Sequence, residues 1–155
     1  MPDMERWPTG RLLSTAARLV EHAWNEKLMG MGLSHAGVIA LDVLSATGPV
    51  TQATLAQIVR VQAQTMGKTL IRLESNGHIS RARSGSDRRS QVVSITEAGS
   101  AALVKAHELE RLVLSTADVD TDALRRELLA LVRDLGARDN ASMANTIVAA
   151  ADEGL

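Results

Sequence analysis

Apolar residues recur at helical spacing through most of this chain, and the places where the pattern breaks mark its elements. Leu12, Ala16, Leu19, Val20, Ala23, Trp24 and Leu28 follow Pro8 and Thr9, which predicts an amphipathic helix over about 10–30, ended by the MGMG at 29–32. Ser34 then reads as an N-cap, with Leu33 and Val38 as a hydrophobic staple. Val38, Leu41 and Leu44 share a face until Gly48 and Pro49 stop the helix. Thr51 repeats the device with Val50 and Leu55, for a third helix that turns Leu55, Ala56 and Ile58 or Val59 inward and ends near Arg60 and Val61.

The next helix, Ala63 to Asn76, places Met66, Leu70 and Leu73 at i, i+4 and i+7, which leaves Gln64, Thr65, Lys68 and Arg72 on other faces. Gly77 supplies a left-handed stop. His78 to Arg81 reads as a strand, 84–90 as a polar loop, and Gln91 to Ile95 as the alternating return strand. Thr96 caps a further helix to about Thr116, with Glu97 at its positive end. After an acidic connector, 117–122, a helix carries the stripe Leu124, Leu128, Leu131 and Leu135, widened by Leu129 and Val132. A last helix over 140–151 is expected beyond Gly136. That stripe is broader than one small chain needs to cover itself, and the surplus reads as a subunit interface.

Taken in order, two short helices joined by a tight turn, a strand, a basic loop and a returning strand describe a winged helix-turn-helix. The fold class expected is therefore mainly α with a small β-wing. One domain spans 1–155, with 34–96 as the winged part and 9–33 and 97–155 as a helical dimerisation part. Composition agrees. Phe and Tyr are absent and Trp7 and Trp24 are the only aromatics, so the core must be Leu, Val, Ile, Ala and Met, which favours helix over sheet. The chain has no cysteine, which excludes disulfides and thiolate metal sites, and it shows neither a leader pattern nor an apolar run of membrane length. The expected compartment is the cytoplasm.

Charge sharpens the picture. The chain as a whole carries −1, yet from Arg60 to Arg89 there are Arg60, Lys68, Arg72, Arg81, Arg83, Arg88 and Arg89 against Glu74 and Asp87, a local balance of +5. Clustered cations of this kind supply sequence-independent affinity for a duplex by neutralising phosphates. Gln64, Thr65 and Lys68 are then base and phosphate readers by type. Arg72 could equally pair with Glu74 or with an acid beneath the helix. Asp87 and Arg89 are spaced for the carboxylate to hold the guanidinium and aim it into a narrow minor groove.

At Leu73, Glu74 and Gly77, then Arg81, Asp87, Arg89 and Ser90, then Val93, Ile95, Thr96 and Gly99, the sequence resembles the MarR family of bacterial transcription regulators. The resemblance implies a homodimer whose terminal helices interlock and whose two winged heads read a pseudo-palindromic operator in double-stranded DNA. It implies a repressor released by a small anionic, often aromatic, effector bound between dimer region and reading head. The positions it assigns to DNA are Gln62, Gln64, Thr65, Lys68, Arg72, Arg83, Asp87, Arg88 and Arg89. Two features depart from the family pattern: Gln62 is a poor cap and Gly67 lies inside the reading helix, while Lys68 replaces a common arginine and lacks its planar fork.

Trp24, Met29, Met31 and His35 gather at the first interhelical turn, where relatives hold effectors, and Arg11 and Arg18 are candidate anion partners. The competing reading makes Trp24 and its neighbours core. The four histidines show no metal-ligand spacing, so neither metal nor cofactor is expected. No Ser-His-Asp order, phosphate loop or convergent acid pair stands out, which argues against an enzyme. The alternative to a DNA-binding regulator is a winged helix used only as a protein-interaction module, and the basic patch speaks against it.

Overall fold

The structure is a computed structural model that describes residues 3–83, 85 and 90–152, with side chains as far as residue 139. After a short 3-10 turn at Met4–Arg6, the elements are α1 (Thr9–Met29), α2 (His35–Thr47), β1 (Val50–Thr51), α3 (Gln52–Val59), α4 (Ala63–Ser75), β2 (Ile79–Arg83), β3 (Gln91–Ile95), α5 (Glu97–Ser115) and α6 (Thr121–Asp152). The chain is mainly helical with a small antiparallel sheet.

Local chemistry sets most of these boundaries. The hydroxyls of Ser34, Thr51 and Thr96 accept from the backbone N–H of Gly37, Thr54 and Gly99, so α2, α3 and α5 each begin on a side-chain cap. At α3 the chain turns through Arg60 in the left-handed region, φ 60. Gly77, at φ 78, ends α4 and lets the His78 N–H return to the Leu73 carbonyl at 2.9 Å.

The sheet has the order β1-β3-β2, with Val50 opposite Val93 and Ile79 opposite Ile95. Sequence patterning finds β3 but misses β1, because two residues show no alternation. Thr51 serves at once as strand residue and helix cap. β2 extends to Arg83 rather than stopping at Arg81, held by its ladder to β3. The sheet is joined to α5 through Thr96, whose hydroxyl donates to the Gly77 carbonyl at 2.6 Å, and through Gly99. A Cβ on Gly99 would lie well inside van der Waals contact of the His78 carbonyl, so only glycine lets helix and strand approach this closely.

Residues up to Thr116 make one compact unit. Its core is aliphatic: Leu28, Leu33, Val38, Leu41, Leu44, Leu55, Leu70 and Val93 are all but inaccessible. Val59, not Ile58, joins this core, since Ile58 stays 47% exposed. Only the second half of the α1 stripe is covered. Trp24 and Leu28 are buried, while Leu12 and Leu19 remain exposed.

A second unit, 117–155, holds α6. Asp120 caps it by accepting from the Ala123 N–H at 3.0 Å. The two helices expected on either side of Gly136 are one. A lone glycine costs a helix about 1 kcal/mol, and with no proline after it, flanking alanine and arginine carry the helix on. Along α6, Leu129, Leu131, Val132 and Leu135 are exposed, and no helix among the described residues is long and apolar enough to cross a membrane.

Candidate nucleic-acid interface

The reading candidate is α4. Met66, Leu70 and Leu73 lock one face into the core, each no more than 2% accessible, and this fixes what the opposite face presents. Gln64, Thr65, Lys68 and Arg72 are all exposed there. Lys68 and Arg72 make no ion pair among the described residues, so both charges are available to a partner. Gln62 occupies the N-cap position and makes no side-chain cap bond, which leaves the first N–H groups of α4 to solvent or a ligand. The poor cap expected from the sequence is poor in fact.

Ile71 was missing from the sequence reading. It is 60% exposed and falls in line with Gln64 and Lys68 at i, i+4 and i+7 spacing. That spacing was the signal that could have found it.

The wing side of α4 is governed by Arg81 of β2. Its Nε and NH2 donate to the two carboxylate oxygens of Glu74 at 3.3 and 3.0 Å, and its NH1 donates to Oε1 of Gln52 on α3 at 3.4 Å. The alternative of an Arg72–Glu74 pair is thereby settled against, because Glu74 is taken by Arg81. Hydrogen bonds from that guanidinium, with its charge, hold the Glu74 carboxyl below its ordinary value near 4.5. A lowered value means the pair contributes above the ordinary carboxylate range and is lost as pH falls through the lowered one. Beside it a cleft of about 400 Å³ is lined by Gln52, Ala53, Ala63, Arg81 and Gln91.

Arg83 ends β2 exposed, opposite Gln91. Asp87, Arg88 and Arg89, the expected wing contacts, lie outside the described residues.

The candidate effector residues fall into two groups. Trp24 is 4% accessible, its indole N–H donates to the Ala106 carbonyl at 3.3 Å, and its ring meets His35 edge-on with centroids 4.9 Å apart. Met31 packs against the core, whereas Met29 is 69% exposed. His35 has a buried Nδ1 with no hydrogen-bond partner, as does His78. Arg11 and Arg18 are engaged elsewhere: Arg11 lies over the Trp7 ring at 5.5 Å and Arg18 donates to Thr15 at 3.5 Å. Among the described residues no three His, Asp or Glu gather as a metal site.

Fold and exposed basic helix together define a winged helix-turn-helix. Comparison narrows the class: residues 31–90 match the model of the MarR family. A Bacillus subtilis (strain 168) relative, the uncharacterized HTH-type transcriptional regulator YwoH, is 35% identical over 85 residues, which cover 55% of this chain and 61% of that protein. The chain thus matches less than two thirds of that relative's length. The apo form of wild-type MarR from E. coli superposes with a TM-score of 0.64 at 23% identity, covering 81% of this chain and 97% of that one. A mutant MarR from E. coli complexed with operator DNA gives 0.63 at 23% identity, over 85% and 98% of the two chains. Residues 31–90 therefore match the MarR family, and the chain shares the winged-helix fold of E. coli MarR.

Proposed function

We propose that this protein is a sequence-specific, double-stranded DNA-binding transcription regulator that acts as a homodimer on a pseudo-palindromic operator. The observation that carries the reading is the split of α4 into a buried apolar face and an exposed face bearing Gln64, Thr65, Lys68 and Arg72, whose two cations make no ion pair among the described residues. Glutamine can pair with adenine and lysine with guanine in the major groove, and the arginine suits phosphate. Arg83, exposed at the end of β2, adds a further cation beside that face, and Arg88 and Arg89 are proposed as wing contacts with Asp87 aiming Arg89.

Dimerisation is supported by apolar residues that a single chain leaves in water: Leu12, Leu19 and Met29 on α1, Val104 and Leu112 on α5, and Leu129, Leu131, Val132 and Leu135 on α6. A two-fold pair of heads places the reading helices about 34 Å apart, one turn of the duplex. Repression released by a ligand completes the reading. The unpartnered His35 Nδ1 beside Trp24 supports a small anionic or aromatic effector at that turn, and Trp24 fluorescence reports its arrival.

The test is a salt titration of binding to the DNA upstream of the coding gene, with the mass of the free protein measured alongside. Lys68→Ala and Arg72→Ala each flatten the slope of log affinity against log salt by about 0.9 and leave the fold intact. A monomeric mass, or binding indifferent to salt and to both substitutions, defeats the reading. The protein-interaction module would then be what remains.

A further inference from the structure

Seven basic residues give the stretch from Arg60 to Arg89 its positive balance, but they are not equivalent. Lys68 and Arg72 stand exposed on α4, while the Arg81 side chain is only 17% accessible and is held on three sides by its own fold. Three of its five N–H groups are committed: two to the Glu74 carboxylate in a bidentate pair and one to Gln52. The elements so joined are α4, β2 and the start of α3. Other than backbone, this is the polar link that the described residues show between the helix bearing the reading face and the strand that enters the wing.

Glu74 is also out of place by charge. It puts a carboxylate on an exposed position of a helix otherwise suited to a polyanion, where simple electrostatics would remove it. Resting on the DNA-binding reading above, we infer that Glu74 is a positioning residue for that binding: its carboxylate holds Arg81, and with it the root of the wing, at a fixed angle to α4, and Arg81 is withheld from the phosphates. The geometry explains why the guanidinium is satisfied by both carboxylate oxygens, since a bidentate pair fixes orientation as well as distance and a lysine could not. The lowered pKa of Glu74 fits a carboxylate that stays charged in this role.

The consequences separate by sign. If Glu74 is merely a negative charge near DNA, Glu74→Gln tightens binding to the duplex upstream of the coding gene. If it positions the wing, the same change weakens binding about tenfold, with thermal stability little altered at so exposed a site. Arg81→Met should weaken binding equally without changing the salt slope, whereas loss of a phosphate contact flattens the slope by about 0.9. The reversed pair, Glu74→Arg with Arg81→Glu, keeps net charge and tether and should restore affinity to within about threefold of the original.

Hydrogen exchange of the β2 and β3 amides in free protein supplies a readout independent of DNA. Protection should fall in Glu74→Gln and return in the reversed pair. Tighter binding by Glu74→Gln, a flattened slope in Arg81→Met, or wing protection unmoved by Glu74→Gln would each overturn the inference. Should the reversed pair not fold, Glu74→Gln alone decides. A wild-type protein that binds no duplex defeats the proposed function instead, and the exchange experiment still tells whether the tether exists.

Discussion

Helices α2 and α4 are each 13 residues long and neighbours in the same unit, yet they are built on opposite principles. The first begins on the Ser34 cap and buries Gly37, Val38, Ala40, Leu41 and Leu44, so the fold specifies it on most sides. The second has no side-chain cap, contains Gly67, and buries only Met66, Leu70 and Leu73. Its far end is secured instead. Asn76 donates to the Gly32 carbonyl at 2.9 Å, Gly77 closes the turn, and Thr96 donates to the Gly77 carbonyl. One helix is thus held throughout for the sake of the core. The other is clamped at its C-terminal end, and its first turns are left weakly determined where a partner would meet them.

The comparison breaks most readily in the core. Leu41→Ala removes a side chain with no accessible surface and should cost about 2–5 kcal/mol by chemical denaturation, the range for a cavity that the surroundings only partly fill. A loss below about 1 kcal/mol would mean that α2 is not the rigid element described. The caps give a smaller and more pointed test. Ser34→Ala should cost about 1 kcal/mol, because the Gly37 N–H loses its acceptor at 3.1 Å. Gln62→Ser should do the reverse and raise stability by up to about 1 kcal/mol, since α4 has no cap to lose. Equal and opposite shifts would sharpen the contrast; a null result at Gln62 would show that solvent already serves those N–H groups.

How much of this could be read from the sequence follows the same division. Apolar spacing and hydroxyl caps are local signals, and they placed α1 to α5, β3, Ser34, Thr51, Thr96 and the buried face of α4 within a residue or two. What they missed depends on contacts distant in sequence. β1 exists because Val50 and Thr51 meet Val93 and Val92, and no two-residue pattern announces that. Arg81 entered only as one more charge in the +5 balance, because charge counting cannot see Glu74 curl back on it across the Gly77 turn. Gly136 looked like a helix end, but a glycine unsupported by a proline is a weak stop, and α6 runs through it. The apolar spacing of α1 placed the helix but not its neighbours: a stripe names no partner, and Leu12 and Leu19 find none within the described unit. The exposed face of α4 was legible by residue type, while the expected wing contacts Asp87, Arg88 and Arg89 fall outside the described residues.

The smallest expected effect is the most informative about why the two helices differ. Gly67 sits in the middle of α4 with ordinary helical backbone, and a Cβ there would meet only the Nε2 of Gln52 at 3.4 Å, the end of a flexible side chain. The fold therefore has room for alanine, and Gly67→Ala should raise stability by about 0.5–1 kcal/mol through the lower entropy of the unfolded chain and better helix propensity. If that were all, the glycine would be a defect without a cause. A helix weakened where the protein itself could accept a methyl group is better explained by a partner that cannot, and glycine is the residue that lets a backbone approach a ligand closely. Gly67→Ala should thus stabilise the free protein while weakening duplex binding several-fold, on the order of 1 kcal/mol. Stability and affinity that rise together would show that α4 is simply a less perfect copy of α2, and that its loose first turns serve no reader.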